Sequence, residues 1–392
     1  MAGIAKFLTA RALLHVAVLA LCLMAFPLET QAKDKLLDEA VEFTGAVLFL
    51  ESKVPALVIG AVRNGEVSVS GFGTIGAKDI GPKDKAPDGN TLMRIGSITK
   101  VFTGAVLASL VSDGTVKFTD PLQTRLGWNV KIPTKDGRSI RLINLVTHTS
   151  GLPREVERGP APADNPFATI TKEAFIRNLQ DDPLLFAPGT GALYSNFGFD
   201  LLAQALANTA NKPYEELLRE RVLAPAGLES TVFTPNGEQR QRLMQGHDFN
   251  GAPLPDAPTV PMIVGSGGLY STPNDILRWL AWHLDQSSAA NAEMRLLDHE
   301  AYVQRDGLSP VFGFDESGHM DAMGLGWIGM MPAGGRPLIL QKAGGLQGTF
   351  SYAAFAPAKG VGAFVAISAF NFDAALNMAK AVNDMIGALA PR

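Results

Sequence analysis

Apolar side chains recur at helical spacing over residues 36–50, and the pattern then changes period. Two strand-like runs follow at 56–63 and 66–71. The dipeptide Asn64-Gly65 between them is a strong two-residue hairpin signal. A polar loop rich in Pro and Gly covers 73–90. From Ser97 to Val111 nearly every side chain is apolar or small. The spacing predicts a helix that is apolar on every face and therefore buried, stopping at Asp113-Gly114.

The stretch from about 120 to 315 has another texture. Helical patterns at 171–180, 197–208, 214–223 and 273–285 alternate with Pro-rich loops at 153–166 and 252–261. Strand signals return at 325–330, 337–342, 349–355 and 361–369, separated by Gly and Pro turns, and a last helical pattern covers 374–389. Strands at both ends with helices between them predict an α+β fold. An antiparallel sheet is flanked by N- and C-terminal helices and carries an inserted, mostly helical domain. The expected boundaries are 33–120 with 316–392 for the sheet domain and 121–315 for the helical one.

Composition narrows the class. The chain is 46% hydrophobic and 18% charged, which suits a globular protein with a large core. A formal net charge of -4 carries no basic footprint for nucleic acid. Residues 1–32 read as an export signal. Lys6 and Arg11 precede a short apolar run from 12 to 26, and Thr30-Gln31-Ala32 offers a small-residue cleavage site. The run is short for a membrane span, so at most a peripheral membrane contact is expected. The single cysteine, Cys22, lies inside this leader. A processed chain would then have no disulfide, thiolate metal site or cysteine nucleophile.

Three short motifs carry candidate chemistry. Ser97 is the only serine followed by lysine three residues later, so Lys100 falls on the same face at the start of the apolar helix. Tyr194-Ser195-Asn196 precedes a second apolar helix. Lys342-Ala343-Gly344-Gly345 stands at the end of a strand. A serine nucleophile needs a base. Lys100 qualifies if burial makes it a neutral amine, and Tyr194 if nearby lysines make it a phenolate. Asn196 can hold the lysine amine and a substrate amide. Lys342 can pair with a substrate carboxylate. Gly344 and Gly345 leave room for substrate backbone beside the strand, and the N–H groups of Ser97 and Gly345 could form an oxyanion hole. Taken singly, each motif also fits a plain structural role as a helix cap, a surface lysine or a turn.

With these residues the chain resembles the serine β-lactamase and penicillin-binding protein superfamily, in its class C-like branch. The order and wide spacing of Ser97-Ile-Thr-Lys100, Tyr194-Ser-Asn196 and Lys342-Ala-Gly344 carry the resemblance. The stretch Leu145-Val-Thr-His148-Thr-Ser-Gly151-Leu-Pro153 is similar to one common in that branch. Wording at 268–275 and 342–350 resembles the periplasmic D-alanyl-D-alanine carboxypeptidase/endopeptidase type. The resemblance spans about residues 40–390 and implies an acyl-enzyme on Ser97, with peptidoglycan peptides and β-lactams as partners. A class C-like β-lactamase or small-ester hydrolase is the alternative on the same machinery, and a non-catalytic peptidoglycan-binding module the alternative of another class. Ala343 replaces a threonine common in β-lactamases, which weakens the expectation of efficient antibiotic hydrolysis.

No cofactor and no metal are expected. The histidines at 148, 247, 283, 299 and 319 lack ligand spacing. His148 reads as structural. The G-x-G-x-x-G match at 71–76 is followed by a polar loop where a dinucleotide site needs a helix.

Overall fold

A computed structural model describes residues 34–76, 85–181 and 184–391. The expected leader at 1–32 lies outside the described residues. Leu36–Arg392 form one compact unit.

The hairpin signal is realised as β1 (Ala56–Arg63) and β2 (Glu66–Gly73), with Asn64 and Gly65 both at positive φ. Such a turn matches the right-handed twist of its strands. Six further strands complete the sheet: β3 (Val303–Gln304), β4 (Ala322–Met323), β5 (Ile328–Met330), β6 (Ile339–Leu346), β7 (Thr349–Ala356) and β8 (Val361–Ile367). Their order is β2-β1-β8-β7-β6-β5-β4-β3, with every neighbouring pair antiparallel. The two ends of the chain thus meet where β1 pairs β8.

Both faces of the sheet are covered, so β1 is an unbroken apolar run. Alternation sends Leu57, Ile59 and Ala61 to one face. There they pack with Leu37, Val41 and Leu48 of α1 (Lys35–Ser52) and with Met378, Val382 and Ile386 of α7 (Phe372–Leu389). Val58 and Val62 face the other way, into a core shared with α2 (Thr99–Ser112). That helix has buried residues on all sides, as its composition requires. Gly104 lets it lie against residue 325: a Cβ there would stand 1.9 Å from the Leu325 carbonyl oxygen.

The longer helices between are α3 (Lys172–Gln180), α4 (Asn196–Ala210), α5 (Pro273–Leu284) and α6 (Ala292–His299), with shorter ones that include the pair Tyr214–Leu218 and Arg219–Leu223. The polar 292–299 segment carries no strong sequence signal, and α6 is held by its contacts to α2. The G-x-G-x-x-G match is part strand: Gly71 and Gly73 pair with Val58 and Ala56. A Cβ on Gly71 would strike the Pro87 carbonyl, so the glycine serves close packing.

Histidines 283 and 299, scattered in sequence, meet in the core. His283 Nδ1 and His299 Nε2 are 2.9 Å apart, and the Trp327 indole N–H donates to Asp298 Oδ2 at 3.0 Å. Burial pushes the Asp298 carboxyl up to about 8 and His299 down to about 4, so the cluster is neutral at pH 7. Asp298 ionises at about 4 in an unfolded chain. Its contribution to stability is therefore lost as pH rises from there through about 8. Asp298→Asn keeps an acceptor for Trp327 and removes the ionisation. It should raise Tm over wild type more at pH 8 than at pH 5, measured by calorimetry; an equal gap at both would contradict the assignment.

Candidate active site

Ser97 lies in a single 3-10 turn, Gly96–Ile98, that leads into α2. This refines the expected start of the helix: Ser97 sits just before it, where backbone N–H groups lack intrahelical partners. Gly96 has φ +50, and a Cβ on it would lie 2.5 Å from the Gly345 nitrogen. A Cβ on Gly344 would lie 2.0 Å from the Ile95 carbonyl oxygen. Glycines therefore allow β6 to press against the Ser97 turn. Gly344 is buried against that turn and still lines the cleft, while Gly345 is exposed.

The Lys342-Ala343-Gly344-Gly345 motif was expected at the end of a strand, but it lies within β6, which continues to Leu346. Gln347 and Gly348 both have positive φ and close a tight two-residue turn to β7. In such a hairpin the flanking pair Leu346/Thr349 is hydrogen-bonded, so Gly345/Phe350 is the non-bonded pair and the Gly345 N–H points away from β7. On that outer side β5 pairs only with Ile339, Leu340 and Gln341. The edge beside Gly345 is therefore open toward Ser97.

Lys100 stands in the first turn of α2 and is wholly buried. Its Nζ is 3.2 Å from Ser97 Oγ, 2.6 Å from Asn196 Oδ1 and 2.7 Å from the Ser266 carbonyl oxygen. Burial, and then the nearby Lys342, hold its pKa well below the usual lysine range. A neutral amine has two N–H donors and one lone pair. The two carbonyl oxygens take the donors, so the lone pair faces the Ser97 hydroxyl. The Asn196 amide is oriented by its own N–H, which donates to Glu155 Oε1 at 2.5 Å.

Tyr194 follows a short strand, Ala192–Leu193, paired in parallel with Val311–Phe312. Ser195 then caps α4 by accepting from the Gly198 N–H, so the capping role and the chemical motif coexist. The Tyr194 hydroxyl accepts from Lys342 Nζ at 3.2 Å. Lys100, Lys342 and Arg154 all lie within 5 Å of its ring centre. Even so, burial pushes the phenol upward and outweighs its hydrogen bond with Ser97. Tyr194 is thus a neutral hydroxyl, not the phenolate its lysine neighbours had suggested. Lys342 is buried too, and burial followed by Arg154 brings it down to about 7.

Five of the seven sequence-derived positions, Ser97, Tyr194, Lys342, Gly344 and Gly345, line one cleft, with Lys100 buried behind Ser97 and in contact with Asn196. The cleft encloses about 740 Å³ and is walled on one side by Phe249, Phe350, Phe370 and Phe372. A smaller recess of about 210 Å³ lies across Ser97, beside Glu155, Asn196, Asp200 and Ser266. Sequence reasoning missed Arg154 and Glu155. His148, read from the sequence as structural, holds the chain on both sides of Tyr194. Its carbonyl accepts from Leu193 N–H at 3.0 Å and its Nδ1 from Ser195 N–H at 2.9 Å. Its ring stacks on the phenol, 4.5 Å between centres. Burial holds this imidazole neutral. Arg154 and Glu155 follow it by six and seven residues, and that nearness was the one available signal.

A nucleophile beside a buried amine, a phenol and an open strand edge define a serine hydrolase of the β-lactamase and penicillin-binding type. The chain belongs to the beta-lactamase family, whose model matches residues 33–383. It is 40% identical over 304 residues to the D-alanyl-D-alanine-carboxypeptidase/endopeptidase AmpH of Escherichia coli K12, covering 78% of each chain. It is 24% identical over 349 residues to a beta-lactamase of Pseudomonas fluorescens, covering 83% of this chain and 92% of that one. Among solved structures, a beta-lactamase/D-alanine carboxypeptidase from Yersinia pestis, complexed with citrate, superposes with TM-score 0.80 at 34% identity. That match covers 90% of this chain and 98% of the other. A class C beta-lactamase shares the fold, with TM-score 0.74 at 19% identity over 93% of this chain and 99% of the other.

Lys342 loses its proton as pH rises through about 7. The affinity of the cleft for a small monocarboxylate should fall about tenfold per pH unit above that point. In Lys342→Met it should be weak and independent of pH. Titration calorimetry that finds wild-type affinity unchanged from pH 6 to 9 would remove Lys342 as the anion partner.

Proposed function

We propose that the protein is a periplasmic serine D-alanyl-D-alanine carboxypeptidase/endopeptidase that acts on peptidoglycan peptides and is acylated by β-lactams. The observation that carries this reading is the buried Lys100 amine, held by the Asn196 and Ser266 carbonyl oxygens with its Nζ 3.2 Å from Ser97 Oγ. The AmpH-like relative supports the substrate class. The leader-like composition of residues 1–32 supports export. Among the described residues no helix is long and apolar enough to cross a membrane.

In the first step Ser97 Oγ attacks the carbonyl carbon of the penultimate D-alanine, and its proton passes to Lys100 Nζ. The oxyanion sits between the N–H groups of Ser97 and Gly345. The C–N bond then breaks as the leaving amine takes a proton from the Tyr194 hydroxyl, which is replenished by the protonated Lys100. Water, activated along the same route, attacks the ester, releases the new carboxylic acid and returns the proton to Ser97. Lys342 pairs with the carboxylate of the terminal D-alanine. Substrate backbone lies along the open edge of β6 as an added strand. The first proton goes to Lys100 and not to Tyr194, because burial favours the neutral form of both groups, and only the neutral amine is a base.

A β-lactamase reading rests on the shared fold and on the aromatic wall of the cleft. Ala343 lacks a hydroxyl for a substrate carboxylate, so inefficient hydrolysis of β-lactams is expected. Intact-mass spectrometry with a labelled penicillin should find one adduct on wild type and none on Ser97→Ala. Digestion of purified sacculi should release cleaved peptides only with wild type. Sacculi left uncut while a chromogenic cephalosporin turns over rapidly would favour the β-lactamase instead.

A further inference from the structure

Asp200 takes no part in the steps above, yet it is a buried carboxylate, 3% exposed, beside the catalytic lysine. It stands one turn beyond Asn196 on α4 and so shares the face that meets α2. Both of its hydrogen bonds go to one residue. The Ser266 N–H donates to Oδ1 at 2.8 Å and the Ser266 hydroxyl to Oδ2 at 2.9 Å. The carbonyl of that same Ser266 accepts from Lys100 Nζ at 2.7 Å. Gly265, just before it, is anchored from the other side, where its carbonyl accepts from the Thr103 hydroxyl at 2.8 Å.

We propose that Asp200 is a positioning residue for Lys100: it grips Ser266 at amide and hydroxyl, aims the Ser266 carbonyl at the amine, and places a negative charge behind it. Burial pushes the Asp200 carboxyl well above the usual carboxylate range, and against it the Lys100 amine and the Ser266 hydroxyl and N–H, both donating to the carboxylate, favour the ionised form. A helix residue one turn past Asn196 thus acts on the base through a loop 66 residues away. The inference rests on the reading of Lys100 as the base for Ser97.

The other groups that face Lys100 are Lys342 from β6 and Arg154, which disfavour its proton, and Glu155, which favours it. Tyr194 and His148 are neutral neighbours. On the far side of Asp200, Tyr214 is likewise neutral, its phenol pushed up by burial. Asp200 raises the proton affinity of Lys100. Losing the carboxylate charge therefore moves the acidic limb of Ser97 acylation to lower pH.

The test is the rate of Ser97 acylation by a labelled penicillin, followed by intact mass from pH 4.5 to 9. Asp200→Asn keeps an acceptor for the Ser266 N–H and removes the charge. Its acidic limb should fall about one pH unit below that of wild type, with a plateau several-fold lower because the amine is a weaker base. A limb that stays where wild type has it, whatever the plateau does, would leave Asp200 a packing residue and overturn the proposal. Wild type that is never acylated would overturn it together with the proposed function, so the two failures are told apart. If Asp200→Asn does not fold, Ser266→Ala decides. It keeps the amide and carbonyl but drops one donor to the carboxylate, and it should shift the limb the same way by a smaller step. No shift would count against the proposal.

Discussion

An amine enclosed at the first turn of an apolar helix is the constraint around which this molecule is arranged. Keeping a lone ammonium ion in such a place costs several kcal/mol even after the surroundings relax. The deprotonated amine avoids that penalty, and it needs two acceptors and one donor in return. The Asn196 side chain and the Ser266 backbone supply the acceptors, and Ser97 is the donor. Stability and reactivity therefore demand the same geometry: the hydroxyl that satisfies the lone pair is the one that can be deprotonated.

The second element of the site comes from another layer. The tight β6–β7 turn sets the register that sends the Gly345 N–H outward, and a slip of one residue would turn it back into the sheet. Gly96 and Gly344 then let strand and turn approach to backbone contact. The two donors proposed for the oxyanion hole thus belong to separate secondary elements, held together by the absence of side chains. This explains the differing fates of the glycine pair, with Gly344 buried in the joint and Gly345 open to the cleft.

Electrostatics divides the labour among three titrating groups that share one volume. Burial acts on all of them in the direction of neutrality. It lowers Lys100 and Lys342 and raises Tyr194. Because Lys342 comes only to about 7, it can take a proton when an anion arrives. Tyr194 keeps its proton and can pass it on. His148 clamps the backbone on either side of this phenol and stacks on its ring, while a left-handed turn at φ 56 carries the chain around.

Much of this was readable before any coordinates. Periodicity located α1, the β1–β2 hairpin, α2 and the closing meander, because each carries a clear period and a clear stop signal. Seven site positions followed from three motifs, since the chemistry of a serine nucleophile restricts which residue types can accompany it. The short strands and α6 were not legible, because they are held by neighbours and not by their own pattern. Nor could local sequence show that burial keeps Tyr194 protonated, that Gly344 packs while Gly345 faces solvent, or that Asp200 reaches Lys100 through Ser266. Residue type and spacing are local properties, and the sequence by itself determined which groups could react. Desolvation and convergence belong to the packed whole, so only the tertiary structure decided their protonation states and their partners.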